Sequence, residues 1–97
     1  MARVEVTERA LADLERLFEF KAAHDLKKAR EHLLSVRRAL ELLADHPLLG
    51  HGAEDGRREL VLLRRRDGYT AKYRWRPAEE VVLILANRHH REAGYPE

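Results

Sequence analysis

Residues 69–86, YTAKYRWRPAEEVVLILA, decide the fold. In the first half, apolar and polar side chains alternate with the period of a half-buried strand. Its apolar face consists of Tyr69, Ala71, Tyr73 and Trp75. After the turn PAEE, residues 81–86 are apolar throughout, which is typical of a central strand covered on both sides. The stretch therefore predicts two neighbouring strands, the first of which contributes tyrosines to the core.

The residues before this stretch predict one more strand and a long loop. ELVLL, residues 59–63, has strand character, and Asp67-Gly68 suits a tight hairpin turn that leads into the next strand. Upstream, HPLLGHGAEDG at residues 46–56 has three glycines and no apolar period, so it is predicted to be loop.

The N-terminal half predicts a short strand followed by two helices. ARVEV at residues 2–6 alternates, and Thr7 is suited to cap a helix that runs to about Ala23. Asp25 can cap a second helix, whose apolar positions recur every three or four residues until Pro47 ends it. The two helices are expected to form an antiparallel hairpin; a coiled coil with a partner is the alternative, although the pattern is short for one.

These elements predict a single α+β domain over residues 1–97, in the order β-α-α-β-β-β. The N-terminal strand and the helical hairpin should pack on one face of a mainly antiparallel sheet. The other face of the sheet should stay partly open.

The charge is unevenly distributed along the chain. Eight cations and two carboxylates lie between Arg57 and Arg76, so this segment carries +6, and the rest must carry −4 because the net charge is +2. Such asymmetry favours a polyanionic or acidic partner, although a solvated arginine-rich face would give the same pattern.

Several classes of function find no support in the sequence. The chain has no cysteine, which excludes disulfides and thiolate metal sites. No histidine spacing suggests a metal site, no glycine-rich motif suggests a nucleotide cofactor, and Ser35, the only serine, has no nucleophile motif around it. We therefore expect no cofactor and no metal. The N-terminus does not resemble a secretory signal and no apolar run could span a bilayer, so a cytoplasmic location is expected.

The segment NRHHREAGY, residues 87–95, contains the candidate catalytic residues. RNA cleavage without a metal needs an acid, a base and cations around the phosphate. His89, His90, Arg91 and Tyr95 are suitable types of residue for these roles if the protein is a ribonuclease. Alternate residues of a strand face opposite sides, however, so His89 and His90 should not serve the same site.

The second interpretation of the cationic residues is a docking surface. Four arginines are predicted to bind an anionic partner on the open side of the sheet: Arg58, Arg74, Arg88 and Arg91. Arginine suits this role because its planar guanidinium binds a carboxylate or phosphate through two hydrogen bonds. An inert solvated tail is the third interpretation of the C-terminal segment.

The order of elements, together with ALELLADHPLLG, RELVL, GYTAKYRW and VVLILANRHHREAGY, resembles the RelE/ParE superfamily of type II toxin–antitoxin toxins. The resemblance extends from Val4 to Tyr95. The long helical hairpin ending in DHPLLG is more similar to the ParE branch, whose characterised members poison DNA gyrase. The resemblance implies a growth-inhibiting toxin of a plasmid-stabilisation type of system, with a cognate antitoxin and gyrase as partners.

The RelE branch implies a different activity, ribosome-dependent cleavage of messenger RNA (an mRNA interferase). RelE has an arginine after its GY pair and another at the place of His89, whereas this chain has Thr70 at the first position. Tyr95 matches the C-terminal tyrosine of RelE. Two cations of RelE chemistry are therefore replaced, which favours the blocking toxin over the ribonuclease. A module that binds the antitoxin without being toxic is a further alternative.

Overall fold

The computed structural model describes residues 2–52, 54–62 and 68–90, and its elements follow the predicted order. The strands are β1 (Arg3–Val6), β2 (His51–Gly52), β3 (Arg58–Val61), β4 (Tyr69–Arg76) and β5 (Val81–His89), and the helices are α1 (Glu8–Ala22) and α2 (Leu26–Asp45). The sheet order is β1-β5-β4-β3-β2, in which β1 runs parallel to β5 and all other neighbours are antiparallel. The predicted α+β fold with a mainly antiparallel sheet is confirmed.

Both helices begin at the predicted capping residues. The Thr7 hydroxyl accepts a hydrogen bond from the backbone N–H of Ala10, and the Asp25 carboxylate accepts one from that of Lys28. The Thr7 hydroxyl also donates to the carbonyl of Leu85 in β5 at 3.3 Å. The start of α1 is therefore fixed to β5, an inner strand of the sheet.

The helices cover one face of the sheet, as expected. Leu17 of α1 and Val36 and Leu43 of α2 are buried against the side of the sheet that carries Tyr69 and Tyr73. The prediction that these tyrosines belong to the core is confirmed, since both are at most 5% exposed. A register shift between Lys72 and Tyr73 leaves Leu85 as the unpaired residue of a bulge in β5.

Two buried polar residues, Asp13 of α1 and Asn87 of β5, connect the helix to the C-terminal part of the strand. The Asp13 carboxylate accepts a hydrogen bond from the backbone N–H of Asn87 at 3.0 Å, and the Asn87 amide donates to the carbonyl of Ala10 at 3.1 Å. Arg16 lies 3.4 Å from the same carboxylate. Because buried polar groups are costly when unpaired, these bonds define how α1 crosses β5.

The loop after α2 is held against the sheet by Tyr73. The buried Tyr73 hydroxyl donates to the carbonyl of Pro47 at 2.8 Å and accepts from the N–H of Gly50 at 2.9 Å. A Cβ at Gly50 would lie 2.6 Å from the carbonyl oxygen of Glu59, so no larger residue fits without movement. Burial raises the pKa of Tyr73, although the bond from Gly50 and the charge of Arg58 act in the opposite direction.

Two expectations about the sheet need correction. The loop predicted for residues 46–56 contains the two-residue strand β2, which adds a fifth strand at the edge. Strand β5 is central, but the helices cover only one of its faces. On the other face, Val81 pairs with Arg3 of β1 on one side and with Arg76 of β4 on the other. The aliphatic parts of these two arginine side chains explain why Val81 is buried. The predicted turn at Asp67-Gly68 lies partly outside the described residues.

Candidate functional site

The side of the sheet away from the helices is called the open face below. It carries two of the four arginines predicted to bind a partner, Arg74 and Arg88. Directly paired residues of neighbouring strands project to the same side, so the register defines its members. Thr70 pairs with Arg88, for example. The described residues that the register places on the open face are Arg3, Glu5, His51, Glu59, Val61, Thr70, Lys72, Arg74, Arg76, Val81, Leu83, Ala86 and Arg88.

Positive charge dominates the described part of the open face. It has five cations and two carboxylates, and the carboxylates lie on β1 and β3, one on each side of β4 and β5. On β4, alternate residues Lys72, Arg74 and Arg76 form a row in which successive Cα atoms are about 7 Å apart. This basic row is the strongest electrostatic feature of the described sheet.

The arginines of the basic row make only exposed contacts within the described structure. Arg74 donates to the carbonyl of Asp55 at 3.1 Å, and an Arg76 nitrogen lies 3.7 Å from a Glu79 oxygen. Exposed contacts of this kind contribute little to stability, and a guanidinium has five donor hydrogens. Both arginines therefore keep the capacity to bind an added anion.

Thr70 and His90 form a polar contact beside Arg88. The Thr70 hydroxyl lies 2.9 Å from Nε2 of His90, and the His90 backbone N–H donates to the carbonyl of Gly68 at 2.9 Å. Thr70 is buried. The position at which the RelE resemblance implies an arginine is therefore filled by a hydroxyl that contacts a histidine.

His89 lies on the opposite side of the sheet. It pairs with Tyr69, and the two rings are 5.6 Å apart in an edge-to-face arrangement. The Tyr69 hydroxyl in turn lies 3.3 Å from Nδ1 of His32 on α2. The prediction that His89 and His90 face opposite sides is confirmed, and the structure does not bring them together.

The placement of Arg58 among the open-face cations is wrong. Arg58 pairs with Tyr73, whose side chain faces the helices, and its Nη1 donates to the carbonyl of Gly50 at 2.7 Å. Alternation along β3 therefore puts Glu59, rather than Arg58, on the open face. Two other candidate residues, Arg91 and Tyr95, lie outside the described residues.

A second surface, which the sequence analysis did not single out, is an apolar groove of about 570 Å³ between β1 and the helical hairpin. Its floor and walls are mainly apolar, and an ion pair between Arg37 and Glu41, 3.1 Å apart, lies at its rim. The groove is lined by Val4, Val6, Leu14, Leu33, Val36, Arg37, Leu40, Glu41, Ala44 and Asp45. The outer edge of β1 pairs with no other described strand.

The described residues contain neither a metal-binding cluster nor a membrane-spanning helix. In residues 2–52, 54–62 and 68–90, no three histidine or acidic side chains are grouped as metal ligands would be. No helix in these ranges is long and apolar enough to cross a membrane.

Comparison with known proteins decides the family. Residues 4–94 match the family model described as ParE toxin of type II toxin–antitoxin system, parDE. The chain belongs to the ParE toxin family. A solved structure of the chromosomal ParDE TA system from P. aeruginosa is similar in fold, with a TM-score of 0.75 and 22% identity over 92% of this chain and 96% of that chain. No curated protein matches the chain significantly.

Membership of the ParE family makes an antitoxin the expected class of partner, and the groove is the surface best suited to a protein segment. The periodicity of α2 indicates only a part of the groove's lining. Leu33 and Leu40 belong to the apolar seam of α2, yet Leu33 is 44% exposed and lines the groove. An apolar patch left exposed in this way is typical of a surface that binds another chain.

Proposed function

We propose that this ParE toxin inhibits growth by binding and blocking DNA gyrase, and that a cognate antitoxin neutralises it by placing an amphipathic helix in the apolar groove. Gyrase is taken from the characterised members of the ParE branch that the sequence resembles. The proposal includes a cytoplasmic location and a role in plasmid stabilisation, because both belong to the system that the resemblance implies.

The position of the two histidines is the observation that favours blocking over RNA cleavage. His90 is in contact with Thr70 on the open-face side, whereas His89 lies against Tyr69 on the helix side. General acid–base cleavage needs two proton-transferring groups near one phosphate. The other described histidine on that side of the sheet is His51 on the edge strand β2, and strand β3 separates it from Thr70 and β4. The arginine of RelE is replaced by Thr70.

The shape and chemistry of the groove support a helix as the antitoxin segment. Leu33, Val36 and Leu40 project into it from α2, and Val4 and Val6 project from β1. An amphipathic helix with apolar side chains at positions i, i+3, i+4 and i+7 fills a groove of this kind. Apolar burial would supply most of the binding free energy, with the rim ion pair contributing to specificity.

The gyrase proposal is tested with purified toxin, relaxed plasmid and ATP. We expect the toxin to inhibit supercoiling by gyrase, and the added antitoxin to restore it. Messages translated in a reconstituted system should stay intact. Normal supercoiling at a large excess of toxin that still arrests growth would refute the gyrase target.

The second candidate function is cleavage of ribosome-bound messenger RNA, and Arg88 beside the Thr70–His90 contact is the observation that favours it. In this case His90→Ala would abolish message cuts, whereas the matched change His24→Ala in the exposed turn between α1 and α2 would not. If overexpression does not slow growth although the antitoxin binds, the protein is a non-toxic antitoxin-binding module.

A further inference from the structure

The described residues of the open face include no large exposed apolar side chain of the kind on which protein partners depend. The most exposed large apolar residues of the described chain lie elsewhere: on the helices (Leu11, Phe20, Leu26, Leu33, Leu34 and Leu42), in the loop after α2 (Leu48 and Leu49) and at Val6. Among its described residues, the open face adds only the half-buried Val61 and Leu83. Protein interfaces are usually anchored by buried apolar or aromatic side chains, so the open face is poorly suited to a protein partner.

The same face has the features that a phosphate backbone requires. The basic row Lys72, Arg74 and Arg76 extends over about 14 Å along β4, and no carboxylate interrupts it on that strand. Arg88 adds a cation on β5 beside the end of the row. Of the two carboxylates, Glu5 lies on the edge strand β1 and Glu59 lies on β3 opposite Lys72, so they would border a polyanion that follows β4 from either side.

The form of nucleic acid is limited by the absence of aromatic side chains from the described open face. Tyr69, Tyr73 and Trp75 all lie in register positions that face the helices. Proteins that bind single strands stack the bases on aromatic side chains, whereas binding to duplex DNA can rest on phosphate contacts alone. The described surface therefore offers backbone contacts but no stacking platform.

We propose that the open face binds the phosphate backbone of double-stranded DNA without sequence preference, through Lys72, Arg74, Arg76 and Arg88. The choice of DNA rests on the proposed gyrase function, because gyrase holds duplex DNA when the toxin meets it. The toxin then contacts the DNA of the gyrase complex in addition to the enzyme. The groove, on the other side of the sheet, stays accessible to the antitoxin.

The test measures binding of purified toxin to a fluorescent 30-base-pair duplex by anisotropy, without gyrase, as the salt concentration is varied. We expect log affinity to fall linearly with log salt, with a slope near −0.9 for each phosphate contacted. The variant R74Q/R76Q should lose about tenfold or more in affinity at low salt, and its slope should be smaller by about two.

The matched control is K27Q/K28Q on α2, which removes two exposed cations away from the open face. It should change the affinity by less than about twofold, since net charge alone acts weakly at a distance in salt. Arg88→Gln provides a single change on β5, with an expected loss of several-fold. Melting curves confirm that each variant is folded.

Several outcomes would overturn the proposal. Among these are no DNA binding at low salt, an equal loss in the control variant, or tighter binding of single-stranded DNA or RNA than of the duplex. Unchanged DNA binding by R74Q/R76Q together with weaker antitoxin binding would assign the face to a protein. Gyrase inhibition without DNA binding would refute this inference alone, and DNA binding without gyrase inhibition would refute the proposed target alone.

Discussion

The open face and the apolar groove share strand β1 and differ in almost every property. The open face is cationic and has no large, fully exposed apolar side chain among its described residues. The groove lies across the sheet, beside β1 and the helices, and is lined mainly by aliphatic side chains. On β1 the alternation of side chains separates the two surfaces: Val4 and Val6 line the groove, whereas Arg3 and Glu5 lie on the open face.

The difference indicates that one small sheet can bind two partners of different chemistry. Apolar burial gives affinity that responds little to salt, whereas attraction between cations and phosphates is strongly screened. Each surface can therefore be disturbed separately. Variants of the groove should affect the antitoxin alone, and variants of the open face should affect only the anionic partner.

The largest expected effect comes from placing a charge in the groove. Leu33→Glu should lower antitoxin affinity about tenfold or more, because a carboxylate would be desolvated against Val36 and Leu40 when the helix docks, and pairing with the exposed Arg37 offsets only part of this cost. Isothermal titration of toxin with antitoxin measures this change. DNA binding should not weaken beyond the small effect of one added negative charge.

Leu34→Glu is the matched control, since Leu34 is the next residue of α2, is 52% exposed and does not line the groove. Its antitoxin affinity should stay within about threefold of the original. Equal losses in the two variants would show that the antitoxin does not distinguish the groove from the rest of α2.

Most of the fold could be predicted because local signals agree with the final structure. Thr7 and Asp25 cap the helices as expected, and the alternation in residues 69–75 places the two tyrosines in the core. Strand β2 could not be predicted. It consists of His51 and Gly52, and its position depends on the bonds of Tyr73 and Arg58 to the loop, which join residues far apart in the sequence.

The candidate site was less predictable, because the register between strands decides which side chains lie on the same face of the sheet. Counting alternate positions separated His89 from His90 correctly, since His89 ends β5 and His90 follows it directly. The same counting could not place Arg58 relative to Arg74, because they lie on different strands whose pairing is set by the turn between them. The groove requires the packing of α2 against β1, which sequence periodicity alone does not show.

The next prediction tests which arginines belong to the open face. Arg58→Gln should lower the free energy of unfolding by about 1 kcal/mol, because it removes a charged donor to the Gly50 carbonyl, while DNA binding should change little. Arg74→Gln should show the reverse, with several-fold weaker DNA binding and nearly unchanged stability. Urea denaturation and anisotropy measure the two quantities, and loss of DNA binding in Arg58→Gln at full stability would return Arg58 to the binding surface.

A smaller effect concerns the stability of the folded protein at high pH, to which the buried Tyr73 contributes. Burial raises the pKa of Tyr73 above its ordinary value of 10.0, so the folded protein holds this proton more tightly than the unfolded chain does. The stability that the folded protein gains from this proton is complete below pH 10, and it is lost as the pH rises from there through the pKa of Tyr73 in the folded state. The melting temperature should therefore fall less steeply above pH 10 in Tyr73→Phe than in the original protein, whereas parallel curves would contradict the raised pKa.

The smallest expected effect is the salt response of the groove itself. Raising the salt concentration from 50 to 200 mM should change antitoxin affinity by less than about threefold, because the exposed rim pair Arg37–Glu41 is the main charged feature near the apolar walls. DNA binding should weaken by orders of magnitude over the same range if several phosphates are contacted. Titrations with one toxin preparation at both salt concentrations make the comparison direct. A steep loss of antitoxin affinity would mean that an acidic part of the antitoxin also reaches the basic row, so that the two partners compete for the open face.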